Sequence, residues 1–202
     1  MTRFQPTLLT LATALLVACG GAADKDYMAS ARSYLDKGDH KAAVIQLKSA
    51  LQRDPKSAEA RYLLGKSLLE VGDVAGASVE LRKAFEAKYE PRLVAPPLAR
   101  AMLAQGELRN VSTQFGELQL ADKTAATDLK VSVATALYGM NLADRADKAL
   151  GEALELSPGH PAAKLLQARV VASQGDTARA RTLVDEVLAA DPKMAEAHML
   201  SG

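Results

Sequence analysis

The sequence of 202 residues has no tryptophan, three phenylalanines, five tyrosines and a single cysteine. One cysteine cannot form a disulfide framework or a cysteine-ligated metal site. The formal net charge is +1, so no strong field of one sign points to nucleic acid as a partner. Apolar residues make up 49% of the chain and charged residues 24%, a balance typical of a folded globular protein rather than a disordered one.

The N-terminus carries an apolar run that is short for a membrane span. The chain begins MTRFQPTLLTLATALLVACGG, in which Arg3 supplies a positive charge ahead of the apolar residues 8–18. A run of eleven residues is too short to cross a bilayer as a helix. Residues 1–18 are therefore predicted to be a cleaved export signal.

The apolar run ends in four residues that resemble a bacterial lipobox: Leu16, Val17, Ala18 and Cys19. In signals of that type the chain is cut before the cysteine, and the thiol accepts a diacylglyceryl group. Several acyl chains on one residue give stable anchoring where a single chain is marginal. The resemblance implies a lipoprotein tethered through residues 19–26, and the absence of Asp after Cys19 favours the periplasmic side of the outer membrane. An ordinary signal peptide with an incidental cysteine is the alternative.

The rest of the chain repeats itself about every 34 residues. Glycines followed by an acidic residue mark the turns at Gly38, Gly72, Gly106 and Gly175. Asn141 takes the corresponding place in the fourth repeat, since Asn is the usual substitute for Gly in a left-handed backbone. Asp39 is predicted to cap a second helix, and Asp54-Pro55 to end it, because the residue before proline is pushed out of the helical region.

Small residues recur at fixed positions of each repeat. The eighth position is occupied by Ala31, Gly65, Ala99, Ala134 and Ala168. This pattern resembles the tetratricopeptide repeat, which implies an all-α, right-handed superhelical solenoid of antiparallel helix pairs. The array is predicted over residues 27–202, with repeats at about 24–57, 58–91, 92–126, 127–160 and 161–194 and a truncated sixth from 195.

Two stretches of the sequence depart from the repeat pattern. Pro96 and Pro97 fall inside the predicted first helix of repeat three, where an interior proline costs about 3 kcal/mol. The expectation is a helix that begins late, at about Pro96, with proline in its first turn. The chain also ends at position eight of a sixth repeat, and a helix normally does not stop with its apolar face uncovered. This favours the N-terminal part of a longer array, with a frayed natural C-terminus as the alternative.

Three stretches resemble one group of tetratricopeptide lipoproteins. They are LLVACGG, YMASARSYLDKGDHKAAVIQLKSALQRDP and the proline-broken LVAPPLARAMLAQGE. Together they are similar to the PrsT-type lipoproteins of the PEP-CTERM/exosortase system. The resemblance implies a membrane-anchored scaffold that binds envelope or periplasmic proteins in a system for protein export and exopolysaccharide. A pilotin-like lipoprotein for pilus or outer-membrane assembly is the alternative, and the regulatory part of a larger enzyme such as a glycosyltransferase is a third.

The first helices of such an array line a concave groove, and their ninth positions are mostly basic: Arg32, Lys66, Arg100 and Arg169, with Thr135 in repeat four. Apolar neighbours and two tyrosines, Tyr62 and Tyr138, flank this line. The pattern favours an extended peptide segment with acidic groups, held by charge-assisted hydrogen bonds and apolar pockets. An anionic polysaccharide that stacks on the tyrosines is a second candidate. A solvated face neutralised by nearby carboxylates such as Glu59 is the alternative to both.

No catalytic group stands out in the sequence. The three histidines, His40, His160 and His198, fall in three different repeats without acidic partners at metal-ligand spacing. No nucleophile lies in a strand-turn-helix setting. The sequence therefore predicts no catalysis, no cofactor and no metal within these residues.

Overall fold

The computed structural model describes residues 26–201, so the predicted signal peptide, the lipobox residues Leu16, Val17 and Ala18, and Cys19 lie outside the described residues. This part of the chain contains helices and no strand, which confirms the all-α prediction. The helices in chain order are α1 Tyr27–Asp36, α2 His40–Arg53, α3 Ala58–Glu70, α4 Val74–Glu86, α5 Pro91–Ala104, α6 Leu108–Phe115, α7 Lys123–Gly139, α8 Ala143–Leu156, α9 Pro161–Ser173, α10 Thr177–Ala190 and α11 Ala195–Ser201. Over residues 26–201, none is both long enough and apolar enough to pass through a bilayer.

Consecutive helices form hairpins, and the hairpins stack in sequence order. Each second helix packs on its own first helix and on the first helix of the next repeat. First helices also pack directly on one another, α3 on α5, α5 on α7 and α7 on α9, whereas the second helices of the described repeats have no comparable contacts. The closer spacing of the first helices places them on the inner, concave side of the solenoid.

Short polar side chains define where the helices begin. The residue before the helix accepts a hydrogen bond from the backbone N–H three positions later at Asp26, Asp39, Ser57, Asp73, Asp122 and Asp176. The predicted cap at Asp39 is confirmed, since its Oδ1 lies 3.0 Å from the Ala42 nitrogen. The predicted stop at Asp54-Pro55 is also confirmed, because α2 ends at Arg53.

Each turn inside a hairpin contains a residue whose backbone is in the left-handed conformation, with positive φ. The four predicted glycines have φ between +71° and +90°, and Asn141 has φ +58°, as the sequence predicts. Lys88, which follows α4, also has φ +58° and was not foreseen. A residue with a Cβ pays a steric penalty in this region, and Lys88 adopts it where the chain turns towards Pro91.

The small residues of the repeat lie where helices approach most closely. Ala31, Ala99 and Ala134 are fully buried. Gly65 shows why the side chain must be small: a Cβ there would lie 2.5 Å from Cγ of Leu81 and 3.1 Å from its backbone nitrogen. These contacts let the apolar residues of successive hairpins form a core that runs from α1 to α8 and continues into clusters around α9.

The first helix of repeat three does not begin where its prolines predict. Helix α5 begins at Pro91 and continues through Pro96 and Pro97, so the predicted late start at Pro96 is wrong. Pro91 occupies the first turn, where its missing N–H costs nothing. Pro96 and Pro97 are themselves buried, as are Val94 and Leu98 beside them, so this stretch of α5 lies in the core.

The shortened element of repeat three is instead its second helix. Helix α6 has eight residues and ends at Phe115, after which residues 116–122 form an irregular segment. Val111 and Phe115 attach α6 to the core, since they are 0% and 1% exposed. The Phe115 ring meets Phe85 of α4 edge-on, with ring centroids 5.5 Å apart. Helix α7 begins at Lys123, ahead of position 127 where the repeat period divides the chain.

Candidate binding groove

The four predicted groove cations fall into two pairs with different surroundings. Arg32 in α1 donates to Glu59 of α3 at 2.7 Å, and Arg169 in α9 donates to Glu196 of α11 at the same distance. In each case the ninth residue of one repeat meets the second residue of the next. The hydrogen bond to Glu59 and its charge raise the pKa of Arg32. These two arginines are neutralised along the groove, as the alternative interpretation of the basic line anticipates.

Lys66 and Arg100 have no such partner. Both side chains are exposed, and neither forms an ion pair with another residue of the described chain. The position that would neutralise Lys66 holds Leu93, which has no charge. The corresponding acid for Arg100 is Asp128, whose Oδ1 lies 3.3 Å from Nε2 of His160. The basic line is therefore reduced to two available cations in repeats two and three.

These two cations border one cleft between α3, α5 and the start of α7. We call it the repeat-three cleft; its volume is about 220 Å³. Pro96, Pro97 and Leu93 form its apolar side. Arg92 also borders the cleft, but its guanidinium donates to Glu90 at 2.5 Å. The arrangement combines exposed positive charge with an apolar wall, which is suited to a ligand that offers both a carboxylate and apolar groups.

The acidic residues of the cleft are already engaged. Asp122 caps α7, with its Oδ1 2.8 Å from the Ala125 nitrogen. Asp128 faces His160 of the next repeat. Neither carboxylate forms an ion pair with Lys66 or Arg100 within the described residues, although both border the same cleft.

Tyr62 lies in the cleft wall but not as an open stacking surface. It is 8% exposed, its ring lies 5.5 Å from that of Tyr89, and the Lys66 ammonium lies 5.7 Å from its ring centroid. Burial raises the pKa of Tyr62, so it stays neutral. The predicted stacking of Tyr62 on a sugar ring does not fit this burial. Its ring instead supports Lys66 through a cation–π contact.

Tyr138 lies in repeat four, away from the repeat-three cleft. Its hydroxyl donates to Oδ1 of Asp147, which links the end of α7 to the start of α8. Burial and this hydrogen bond both raise the pKa of Tyr138. The side chain is partly buried between two sections of the core. The hydroxyl of Tyr138 therefore adds a hydrogen bond between the two helices of the repeat-four hairpin.

We expect Tyr138→Phe to lower the free energy of unfolding by about 1 kcal/mol at pH 8, because a hydrogen bond to a charged acceptor is lost from a partly exposed site. Because the pKa of Tyr138 is raised in the folded protein, its contribution to stability is complete below the ordinary tyrosine pKa of about 10. That contribution is lost as the pH rises further. At pH 11 the difference between wild type and Tyr138→Phe should therefore shrink by about 1 kcal/mol. Urea unfolding followed by circular dichroism at both pH values measures it. An equal difference at pH 8 and pH 11 would contradict the assignment.

The histidines lie in three separate places. His40 begins α2, His160 precedes α9, and His198 in α11 has Nε2 2.8 Å from the carbonyl oxygen of Pro192. Within residues 26–201, no three His, Cys, Asp or Glu side chains are grouped so that they could hold a metal ion.

One feature of the cleft was not foreseen from the sequence: Arg92, at the first position of repeat three, borders it. The neutralisation of Arg32 by Glu59 was anticipated only as the alternative, and that of Arg169 by Glu196 was not foreseen. A spacing of 27 residues between an arginine and a glutamate is the signal for this pairing, and it is present at Arg32/Glu59 and Arg169/Glu196 but absent for Lys66.

Comparison with known families agrees with this architecture. A family model of the tetratricopeptide repeat matches residues 34–95 and 137–202, which is more than half of the chain. The chain therefore belongs to the tetratricopeptide repeat family. No curated protein sequence matches it significantly.

Solved structures with the same fold have low sequence identity to the chain. The APC/C hetero-tetramer Cut9-Hcn1 superposes with a TM-score of 0.67 at 19% identity, over 87% of this chain and 35% of that one. YrrB, described as a TPR protein with an unusual peptide-binding site, gives 0.59 at 20% identity, over 86% and 89%. The pilF protein of Pseudomonas aeruginosa gives 0.66 at 20% identity, over 86% and 79%. The chain thus spans about a third of the Cut9-Hcn1 chain, and at these identities the likeness shows the fold.

Proposed function

We propose that the protein is a non-catalytic scaffold that holds partner proteins by extended segments bound in its concave groove. The observation that carries the proposal is the repeat-three cleft, where Lys66 and Arg100 lack ion pairs within residues 26–201 and lie beside the apolar Pro96. Exposed cations beside an apolar wall suit a peptide with acidic side chains. YrrB, which shares the fold, is described as having a peptide-binding site, and a peptide is the class of ligand we propose here.

We further propose that the scaffold acts in the bacterial envelope. The N-terminal LLVACGG motif supports a lipoprotein anchored through Cys19 at the periplasmic side of the outer membrane. The resemblance of its sequence to PrsT-type lipoproteins supports a role in the PEP-CTERM/exosortase export and exopolysaccharide system. The partners would then be exported or periplasmic proteins of that system.

Anchoring is tested by Cys19→Ala in the native bacterium. We expect the wild-type protein in the outer-membrane fraction and the variant in the soluble fraction or in uncleaved form, because the acyl chains are lost. Incorporation of radiolabelled palmitate into the wild type but not the variant is the second readout. An unlabelled wild-type protein that still fractionates with the membrane would contradict lipidation.

Partner binding is tested with a photo-reactive residue in place of Thr124, an exposed residue on the rim of the cleft. In intact cells we expect cross-links to a small set of envelope proteins. The charge reversal Lys66→Glu with Arg100→Glu should remove them. The matched control is Arg109→Glu with Arg145→Glu, which changes the net charge equally on exposed sites of the second helices. Cross-links that survive the first pair, or vanish equally with both, would overturn groove binding.

The pilotin-like alternative differs in the partner. There the cross-linked protein would be a pore or pilus subunit, and loss of the scaffold would lower the amount of that subunit in the outer membrane. The identity of the cross-linked protein therefore separates the two functions in the same experiment.

A further inference from the structure

Two large apolar side chains are exposed at the same place in the first two repeats. Ile45 on α2 is 63% exposed and Val79 on α4 is 50% exposed. Both occupy position 22 of a repeat, on the second helix, which lies on the outer side of the solenoid. The later repeats have polar residues at that position: Thr113, Lys148 and Thr182. Single exposed apolar residues are common on proteins, but this recurrence distinguishes the outer side of repeats one and two.

An apolar groove lies between the two helices that carry these residues. It runs along the outer side between α2 and α4, with α3 as its floor, and has a volume of about 640 Å³. Leu64 and Leu68 of α3 form the floor, and Leu51 of α2 lies on one side. Val79 of α4 lies on the other side, so the apolar surface of repeat two continues into the groove towards α2.

The exposed side of α2 combines Ile45 with positive charge. Intervals of four, three and four residues place one set of exposed side chains on a single face of the helix: Lys41, Ile45, Lys48 and Gln52. Neither lysine forms an ion pair within residues 26–201. Helix α2 has three basic residues and no acidic one, whereas α8 has two basic and four acidic residues. The basic second helix is therefore the first one in the chain.

The acidic residues near this surface are engaged within the protein. Glu80 accepts a hydrogen bond from Arg61 at 2.5 Å, and Asp73 caps α4. Asp39 and Asp54 lie just beyond the two ends of α2 and not on its exposed face. Helix α4 has two basic and two acidic residues, so the excess of positive charge comes from α2.

The predicted lipid anchor lies within reach of this surface. The Arg53 guanidinium at the end of α2 lies 4.9 Å from the ring centroid of Tyr27, the first residue of α1. Ile45 lies on the same helix, about 12 Å along its axis from Arg53. Residues 20–26 join Cys19 to α1, and a chain of that length spans at most about 25 Å. An anchor at Cys19 thus keeps α2 close to the bilayer surface.

We propose that the outer faces of α2 and α4 form a membrane-contact surface that lies on the headgroups of an anionic phospholipid bilayer. Ile45 and Val79 enter the interfacial region, and Lys41 and Lys48 bind lipid phosphates. The inference rests on the anchoring at Cys19 proposed above and adds how the first two repeats lie on the membrane. With the outer side on the bilayer, the concave groove faces the periplasm and is open to partner segments.

The charge of this surface favours a bilayer over a second copy of the chain. In a two-fold contact the same surface faces itself, so the lysines of α2 in both copies would approach one another. Such a contact supplies no additional carboxylates on α2 to balance them. A bilayer that contains phosphatidylglycerol offers negative charge across its whole surface, and its interface accepts apolar side chains.

The first test uses the mature chain, residues 19–202, with its single cysteine, Cys19, coupled to a maleimide lipid in vesicles of phosphatidylethanolamine and phosphatidylglycerol. The coupling supplies an anchor whether or not the native chain is lipidated. A photo-reactive residue in place of Ile45 or Val79 should cross-link to phospholipid. The matched controls replace Thr113 or Thr182, at position 22 of repeats three and five, and should give a several-fold lower yield. Equal yields at all four positions, or no lipid cross-link from position 45, would overturn the proposal.

The second test asks whether the lysines of α2 hold the surface on the membrane. We expect Lys41→Gln with Lys48→Gln to lower the lipid cross-link from position 45 by about threefold or more. Replacing phosphatidylglycerol with phosphatidylcholine should have the same effect. Lys66→Gln with Arg100→Gln removes the same charge from the concave side and should leave the yield unchanged. An unchanged yield with the α2 pair, or an equal loss with both pairs, would overturn the role of this surface. Each variant is used only when its helical circular dichroism matches wild type.

The outcomes separate this inference from the anchoring on which it rests. If palmitate labels the wild type in cells but position 45 gives no lipid cross-link in vesicles, anchoring stands and the contact surface fails. If the coupled chain contacts lipid but Cys19 is not acylated in cells, the contact surface is supported and the native anchor is not. If position 45 cross-links to a second copy or, in cells, to an envelope protein in place of lipid, the membrane proposal fails.

Discussion

Phe115→Ala is expected to lower the free energy of unfolding by about 3–5 kcal/mol, the usual cost of emptying a buried aromatic site. Phe115 is 1% exposed and lies in the last turn of α6. An isolated helix as short as α6 is marginal in water, so its stability depends on burial of Phe115 and Val111. The edge-on contact with Phe85 of the preceding repeat adds about 0.5–1.5 kcal/mol.

The consequence should reach beyond one helix, because repeats in a solenoid contact only their neighbours. Loss of α6 removes a second helix from the middle of the array and weakens the coupling of repeats one and two to repeats four and five. Urea unfolding measures the total loss, and amide hydrogen exchange should show α5 and α6 losing protection first. Phe115→Leu keeps an apolar side chain and should cost much less. A loss below 1 kcal/mol for Phe115→Ala would contradict the role assigned to this ring.

Gly65→Ala should lower the free energy of unfolding by about 1–2 kcal/mol. Alanine improves helix propensity by up to about 1 kcal/mol, but overpacking a close contact costs about 1–3 kcal/mol. The new Cβ would lie 2.5 Å from Cγ of Leu81 and 3.1 Å from its backbone nitrogen. Leu81 is fully buried, so it cannot move away without disturbing α4.

Gly151→Ala is the matched control for this substitution. Gly151 also lies inside a helix, α8, but a Cβ there meets nothing within 4 Å. The same chemical change should therefore raise the free energy of unfolding by about 0.5–1 kcal/mol. Thermal and urea unfolding of the two variants should shift in opposite directions. A shift of the same sign in both would show that propensity, and not the contact with Leu81, decides the effect at Gly65.

Much of the fold follows from local signals in the sequence. The Gly-acid pairs and Asn141 mark turns because a left-handed backbone excludes most other residues. Asp39 and Asp54 mark a helix start and a helix end because capping and the residue before proline act over a few bonds. Turns and caps depend on a few neighbouring residues, so they can be predicted without knowing how the rest of the chain packs.

Less of the candidate site could be predicted from local signals in the sequence. Position in the repeat predicts a groove location for Lys66 and Arg100, yet it treats all four basic positions alike. Whether an arginine is available depends on a side chain in the next repeat, such as Glu59 for Arg32. Tyr62 was expected at an open surface and is buried against Tyr89, because repeat two ends differently from the others.

The sequence by itself determined the class of fold, the period of the helical hairpins, their turns and the helix start at Asp39. These properties depend on backbone geometry and on the spacing of small and apolar residues along one chain. Only the tertiary structure decided the course of repeat three and the location of the available charge. Helix α5 continues through two prolines whose neighbours Val94 and Leu98 are buried in the core. Pairing across repeat boundaries occupies Arg32 and Arg169, and of the four predicted groove cations it leaves Lys66 and Arg100 without an ion pair in residues 26–201.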